Sequence, residues 1–338
     1  MPIYHLTLRS ALHIGEAVSI DRETVLDWLP SDSLFAALVS AWGHLGVDVN
    51  ARLEAFLSGS PPFRLTSAFP WVAGIRFLPA PAAFPDATEL IGKDAKRVQW
   101  ISSAVYERLR TDGSADNHPD NFLHDGKVWV TSKERARLTA HYTNDEGKMR
   151  LWQTFVVPRV TVDRATNASN LFHVGRVTFA AGDGLWFATR GPQTEWVQEA
   201  LNVLQDTGLG GLRNYGHGAF TWQTVPDDLP ASPTSGAGYS LARYAPHDEK
   251  EIQALLQHPH AAYRLTTVGG WCTDDEGHGW RRRMVRLVAE GALLPDVTQA
   301  RGKLVEVQPQ DLPHFTTRKV YRYGVPFFLP AGRLEVSQ

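Results

Sequence analysis

Tyr4, Leu6 and Leu8 alternate with other residues over positions 3–9, the period of a strand with one buried face. After the segment Leu12-His13-Ile14-Gly15-Glu16 the period changes. Leu34, Phe35, Leu38, Val39, Trp42 and Leu45 recur at helical spacing and form one wide apolar stripe. Pro30 precedes Ser31 and Asp32, either of which can accept hydrogen bonds from the first free N–H groups of that helix. Alternation predicts strands at 65–72, 74–78, 171–180, 185–189 and 219–225. A second helix over 194–206 places Trp196, Ala200, Val203 and Leu204 on one face and stops at Gly208, a C-terminal cap position. Further strands are predicted at 239–244, 263–272, 281–289, 303–307 and 321–328. Between the first two of these lies a helix whose Asp248 and Glu251 have capping-box spacing.

Two stretches interrupt this order. Residues 80 to about 157 open with Pro79, Pro81 and Pro85 and contain a polar, turn-rich tract at 111–126. They read as a long excursion from a compact fold, projecting and partly mobile. Residues 226–238 have linker composition. The elements before the linker run strand, helix, two strands, helix, strand, and those after it repeat a shorter version. The simplest fold is α+β, two ferredoxin-like (RRM-like) units in tandem. The first occupies residues 1–225, with the insertion and a glycine-rich loop at 208–218, and the second occupies residues 239–338.

Hydrophobic residues make up 43% of the 338 positions and charged residues 21%, which permits a real core and excludes a disordered chain. The apolar runs are too short to span a bilayer, and Met1-Pro2-Ile3-Tyr4-His5 carries no secretion signal, so a cytoplasmic protein without membrane contact is expected. The single cysteine, Cys272, excludes an internal disulfide and an all-cysteine zinc site. A net charge of −2 argues against nonspecific nucleic-acid binding. The last sixty residues, however, carry 10 Lys/Arg against 5 Asp/Glu, which is compatible with one defined polyanion contact and equally with a solvated surface.

The strongest local feature is Gly208-Leu209-Gly210-Gly211-Leu212-Arg213-Asn214-Tyr215-Gly216-His217-Gly218. Glycine permits positive φ and lets backbone N–H groups converge on an anion. Arg213 adds charge and planar donors, and Tyr215 or His217 can stack on a base. Neither the dinucleotide fingerprint nor the Walker pattern is matched, so no cofactor is implied. A plain connector would not need so many entropically costly glycines, and the binding reading outweighs it. In Pro158-Arg159-Val160-Thr161-Val162-Asp163-Arg164, a strand would put Arg159, Thr161 and Asp163 on one face; that face could present arginine and threonine donors to phosphate, with Asp163 orienting an arginine. A cross-strand ion pair accounts for them as well. His13 could act as general base in RNA cleavage, although a lone histidine more often hydrogen-bonds its own loop. The thirteen histidines show no dense ligand spacing, and no metal site is assigned. Trp28, Trp42 and Trp196 fall at core positions. Trp100, following Lys93, Lys96 and Arg97, is the better candidate for stacking.

Taken in order, these segments, with Ser31-Asp32-Ser33, Glu290-Gly291 and Tyr321-Arg322-Tyr323-Gly324, resemble the fourth Csm subunit of type III-A CRISPR complexes, a RAMP-superfamily family. The resemblance covers nearly the whole chain. It implies tandem RRM-like units and a non-catalytic subunit that anchors the 5′ handle of the CRISPR RNA. Such a subunit bridges the large polymerase-like subunit and the repeated backbone subunit. The insertion would be a thumb at the first segment of the guide–target RNA duplex, with Lys93, Lys96, Arg97 and Trp100 against it. Carried over by position, His13, Gly15, Ser31, Ser33, Arg159, Thr161, Arg164 and the loop residues Gly208, Gly210, Gly211, Arg213, Asn214, Tyr215, Gly216, His217 and Gly218 are the RNA contacts. Family loops often have lysine and serine where Leu212 and Asn214 stand, so one phosphate charge is missing here. The RNP1 signature of standalone RRM proteins is absent. Three other readings stay open at this point: a RAMP endoribonuclease using His13, the corresponding subunit of type III-B complexes, and a carbohydrate-binding protein using its tryptophans.

Overall fold

The computed structural model of the chain describes residues 2–16, 24–89, 92–142, 149–274, 276–309 and 319–334. The chain begins with β1 (Ile3–Leu8), β2 (Gly15–Glu16), β3 (Thr24–Val25), α1 (Ser31–His44), α2 (Val49–Leu57), β4 (Arg64–Leu65), β5 (Phe69–Val72) and β6 (Ile75–Pro79). Next come α3 (Gly92–Arg97), β7 (Trp100–Ser102), α4 (Ser103–Asp112), β8 (Phe122–Leu123), β9 (Val128–Trp129) and α5 (Ser132–Tyr142). A long pair, β10 (Trp152–Val162) and β11 (Ser169–Phe179), leads into β12 (Gly184–Arg190), α6 (Glu195–Thr207) and β13 (Phe220–Val225). One sheet collects most of these in the order β13-β1-β12-β5-β6-β7-β9-β8, with β4 beside β12. Its neighbours are antiparallel except for β7 and β9.

β1 sits inside this sheet because both of its faces are apolar or aromatic. Tyr4, Leu6 and Leu8 pack under α1 and α6, against Leu34, Phe35, Leu38 and Trp42 and against Val197, Leu201 and Leu204. The helical stripe holds, except that Leu45 lies beyond the helix and is exposed. Ile3 and the Trp71 side of His5 face a second cluster.

The insertion is where the structure departs from the sequence-based expectation. As far as α5 it does not project. β7 extends the main sheet from β6, and Trp100, Ile101, Val105, Leu109, Val128 and Trp129 are buried in the same cluster as C-terminal residues Tyr239, Leu241 and Leu329. The tract at 111–126 is packed as well. Asn121 is fully buried, the Trp129 Nε1–H donates to the Asp116 carbonyl at 3.0 Å, and the Ser132 hydroxyl donates to the Asp116 carboxylate at 2.7 Å. Polar side chains satisfy one another locally there, so polar composition did not mean an unpacked loop. The projecting element is the β10–β11 ribbon, whose outer residues are mostly exposed.

Beyond residue 226 the strands form smaller sheets: β14 (Gly238–Ser240) between β19 (Leu293–Leu294) and β22 (Phe328–Pro330), β15 (Leu265–Val268) with β18 (Val285–Val288), β16 (Trp271–Thr273) with β17 (Gly279–Arg281), and β20 (Lys303–Glu306) with β21 (Tyr321–Gly324). The fold is thus α+β, as expected. No helix among the described residues is long and apolar enough to cross a membrane.

A buried ionic clasp joins the two parts. Asp32, 1% exposed, accepts from Arg243 through Oδ1 and from Arg322 through Oδ2, each at 2.9 Å. Ser31 and Asp32 therefore do not cap α1; Pro30 holds the cap position without a side-chain hydrogen bond. The Ser31 hydroxyl accepts the Arg243 backbone N–H at 3.0 Å, and the Ser67 hydroxyl donates to Glu290 at 2.5 Å. Burial pushes the Glu290 carboxyl up to about 7, with Arg243 and Ser67 acting in the opposite direction.

Asp32→Ala leaves two buried guanidinium groups without their counter-charge and is expected to cost about 3–5 kcal/mol in urea denaturation. A loss below about 1 kcal/mol would mean the clasp is solvated. Glu290 gives a pH signature. Between its unperturbed 4.5 and about 7 the native state keeps a proton that the unfolded chain has released. Its stabilising contribution is therefore full below that window and falls as pH rises through it. Relative to Glu290→Gln, the wild type should lose on the order of 1–3 kcal/mol across that window; parallel stability curves would contradict the burial of this group.

Candidate nucleic-acid interface

α6 ends at Gly208 with φ of 83°, and the chain must turn back at once to enter β13. It does so by lying against the residues that follow β1. The Leu209 N–H donates to the Gly218 carbonyl at 2.9 Å, the Gly211 N–H to the His13 carbonyl at 2.8 Å, and the Gly218 N–H to the Ala11 carbonyl at 2.8 Å. Backbones meet so closely that a Cβ at Gly210 would stand 2.5 Å from the His13 carbonyl oxygen, and one at Gly218 would fall inside the Leu209 carbonyl. Glycine is required there by contact as well as by positive φ. Between these anchors Arg213, Asn214 and Tyr215 form a single exposed 3-10 turn. Among the described residues, the N–H groups of Gly210, Leu212, Arg213 and Asn214 reach no backbone acceptor. Exposed, unpaired amides beside an arginine make a cradle for an anion.

The β10–β11 ribbon stands over this loop. Its register pairs Phe155 with Arg176, Val157 with Val174, Arg159 with Phe172 and Thr161 with Asn170, so these side chains share one face. On that face the Arg159 guanidinium lies 4.8 Å from the centre of the exposed Tyr215 ring, and Arg176 lies 5.8 Å from that of Phe155. His217 is buried beside them. Burial, then the positive charges of Arg159 and Arg176, hold its pKa below an ordinary histidine, while a hydrogen bond with the Tyr215 backbone acts the other way. His13 is wedged in place: its Nδ1 is 2.6 Å from the Gly175 carbonyl oxygen, and its ring lies against Gly211, where a Cβ would meet it at 2.7 Å.

Three of the sequence motifs therefore converge: His13 with Gly15, Arg159, and the loop from Gly208 to Gly218. The others do not join them. Ser31 is fully buried in the clasp, and Ser33 opens the adjoining turn of α1, its N–H donating to Pro30. Ser31 is a correction to the expected RNA contacts, because Arg243 of the C-terminal part covers it, whereas Ser33 stays half-buried. Thr161 and Arg164 lie toward the ribbon tip, both exposed. Asp163 does not orient an arginine; its carboxylate accepts the Ala165 and Thr166 N–H groups at 2.7 and 2.9 Å and so builds the turn. Trp100 is 4% exposed and donates to Asp27, which excludes it as an open stacking platform. Lys96 and Arg97 sit on α3, away from the loop, and the side chain of Lys93 lies outside the described residues. Arg176 was missed by sequence reasoning; only the cross-strand register places it with Arg159. Among the described residues no group of three or more His, Cys, Asp or Glu could hold a metal.

Residues 234–331 match the family model described as the CRISPR Csm4 C-terminal domain. The chain is similar to the CRISPR system Cms protein Csm4 of Streptococcus thermophilus, 26% identical over 343 residues, with 99% of each covered. It is also similar to the Csm4 protein of Thermococcus onnurineus, 26% identical over 88% of this chain and 89% of that one. In fold it is similar to a chain of the Csm3–Csm4 subcomplex of the type III-A CRISPR-Cas interference complex, with a TM-score of 0.67 at 19% identity over 98% of this chain and 99% of that one. A chain of the Csm1–Csm4 cassette with AMPPNP matches with a TM-score of 0.58 at 16% identity, covering 100% and 98%.

The packing of the loop predicts an order of sensitivities. Gly216 has positive φ but open space around its Cβ position, so Gly216→Ala should cost only the left-handed strain, about 1–2 kcal/mol. Gly218→Ala adds a backbone collision and should cost clearly more in the same denaturation experiment. Equal costs would mean that the two ends of the loop are not held together at Leu209 and Gly218.

Proposed function

As a member of the Csm4 family of type III-A CRISPR subunits, this chain is, we propose, the non-catalytic subunit that holds the 5′ handle of the CRISPR RNA at one end of a Csm complex. One observation carries the reading: exposed backbone donors of the glycine-rich loop, Arg213 and Tyr215 lie on one surface with Arg159 and Arg176 of the ribbon. Single-stranded RNA is gripped by that combination, amides and guanidinium groups on phosphate and a flat ring on an unstacked base. Leu212 adopts φ of 56° with its side chain half-buried, so Arg213 and the amides carry the phosphate contact that a lysine would share.

The order β13-β1-β12-β5, all antiparallel, is that of a ferredoxin-like unit, and we read residues 1–225 as that unit and 239–338 as its second, reduced copy across the 226–238 linker. The thumb role belongs on this reading to the β10–β11 ribbon, whose tip carries Thr161 and Arg164 toward the target RNA near the guide's first segment. Chains similar to this one have been solved with Csm3 and with Csm1, which supports a bridge between a backbone subunit and the large subunit. Endoribonuclease chemistry at His13 is disfavoured, because the residue is buried and its ring is wedged against Gly211 and Gly175.

In an assembled complex whose RNA carries a photoreactive nucleotide in the handle, crosslinked peptides are expected within 208–218 or 152–164. Crosslinks confined to other subunits would make this chain a protein adaptor. Arg213→Ala should also lower the slope of log K against log salt by about 0.7, the loss of one phosphate contact on a single strand.

A further inference from the structure

The opposite face of the ribbon looks onto a different surface. Trp152, Thr154, Val156 and His173 form one wall of a cleft of about 1070 Å³, lined on its other sides by residues 24–28 and 98–100 and by Lys96, His124, Lys127, Arg264 and Glu290. That is just above the roughly 300–1,000 Å³ that encloses small ligands. Asp27 lies in it, and its Oδ2 accepts the indole N–H of Trp152 at 2.9 Å and that of Trp100 at 3.4 Å. A carboxylate has about four acceptor positions, so two indoles leave capacity for further donors. Asp27 as a residue is half-buried and lines the cleft; burial raises its pKa, and the two indoles, its own backbone N–H and Lys127 act the other way.

The walls are aromatic and the surroundings cationic. Trp28, Trp100 and Trp152 all line the cleft, and so do Lys96, Lys127 and Arg264. Among the described residues none of these three cations is ion-paired with a carboxylate; Arg264 reaches only the Ala80 carbonyl, at 3.5 Å. Lys96 and Trp100, set apart by the loop geometry, thus meet here. Trp100 and Trp152 are buried and serve to hold Asp27, so the ring open to a ligand is the half-buried Trp28. A flat base can pack on that indole, its N–H groups can donate to Asp27, and its phosphate can be held by lysine and arginine. A carboxylate accepts but does not donate. Amine-bearing bases therefore suit it better than uracil, whose single N–H is flanked by two carbonyl oxygens.

We propose that this cleft binds one unstacked, amine-bearing nucleotide of an RNA strand, with Asp27 reading the base and Lys96, Lys127 and Arg264 holding its phosphate. This rests on the RNA-binding reading above but concerns a separate face of the ribbon. The test uses the full-length chain and RNA octamers of cytidine or uridine alone, because the two pyrimidines stack similarly. Oligocytidine should bind about tenfold more tightly than oligouridine, the contribution of one hydrogen bond to a charged group. Asp27→Asn should remove that preference, and Lys127→Ala should weaken both octamers by a similar factor. Photocrosslinking wild-type protein to a 5-iodocytidine octamer, which needs no variant, should mark peptides from 24–28, 96–100, 124–127 or 152–156. Equal binding of the two octamers, a preference that survives Asp27→Asn, or crosslinks outside those peptides would overturn the proposal. If the octamers bind equally but Arg213→Ala releases both, the cleft assignment falls and the loop reading stands. If neither octamer binds wild-type protein, both fall.

Discussion

Asp32 is the residue on which the arrangement of the chain depends. A carboxylate taken out of water is costly unless its lone pairs are filled, and here two guanidinium groups from the C-terminal part fill them. Such a pair adds little net stability over a packed apolar core. What it supplies is geometry, since the charges tolerate no other register. Around it, the Tyr323 hydroxyl accepts the Leu65 N–H at 3.0 Å, Arg64 donates to the Pro326 carbonyl at 3.0 Å, and Arg190 donates to the Phe328 carbonyl at 3.0 Å. Each contact crosses between the same two parts. Arg243 lies over Trp28 and beside Glu290, and both of those residues line the cleft. The shape of the cleft is therefore set by the same clasp that orients the C-terminal strands.

The parts of this structure that sequence made legible are those fixed by local period. The strand at 3–9, both long helices, the Gly208 cap and the capping of Glu251 by Asp248 needed only neighbours within a few positions. Asp32 shows where that method stops. Its sequence context reads as a helix cap, yet its partners lie 211 and 290 positions away. Trp100 fails for the same reason. Basic neighbours suggested an exposed ring, whereas Asp27, 73 positions earlier, draws its N–H inward. In the tract at 111–126 the signal was composition alone, and composition does not distinguish polar groups that face water from polar groups that satisfy each other.

The candidate site was half legible. Five glycines close together announced a backbone in unusual conformations, and the structure gives them two separate tasks. Gly210 and Gly218 let chains touch, while Gly216 has open space around it and only needs positive φ. What sequence could not supply was the surface opposite. Arg159 is brought over Tyr215 by an eleven-pair register that begins at Trp152, and Arg176 enters only as the partner of Phe155.

The ribbon itself has a cost that points to its use. Val156, Val160, Val162 and Leu171 are each more than half exposed on one face, and Phe155 and Phe172 are well exposed on the other. A two-stranded ribbon has no third strand or helix to cover such residues, and isolated hairpins are marginal in water. Contiguous exposed apolar side chains are the usual mark of an interaction surface. Arginine, threonine and histidine interleave with them, so the covering partner must tolerate charge and offer flat apolar area together. Bases and sugars of RNA do both, and so does the edge of a neighbouring subunit. The root of the ribbon is pinned through Leu12 and Val177, which keeps one face on the loop and the other on the cleft. The ribbon thereby separates two basic surfaces, the loop with Arg159 on one face and the cleft with Lys96, Lys127 and Arg264 on the other.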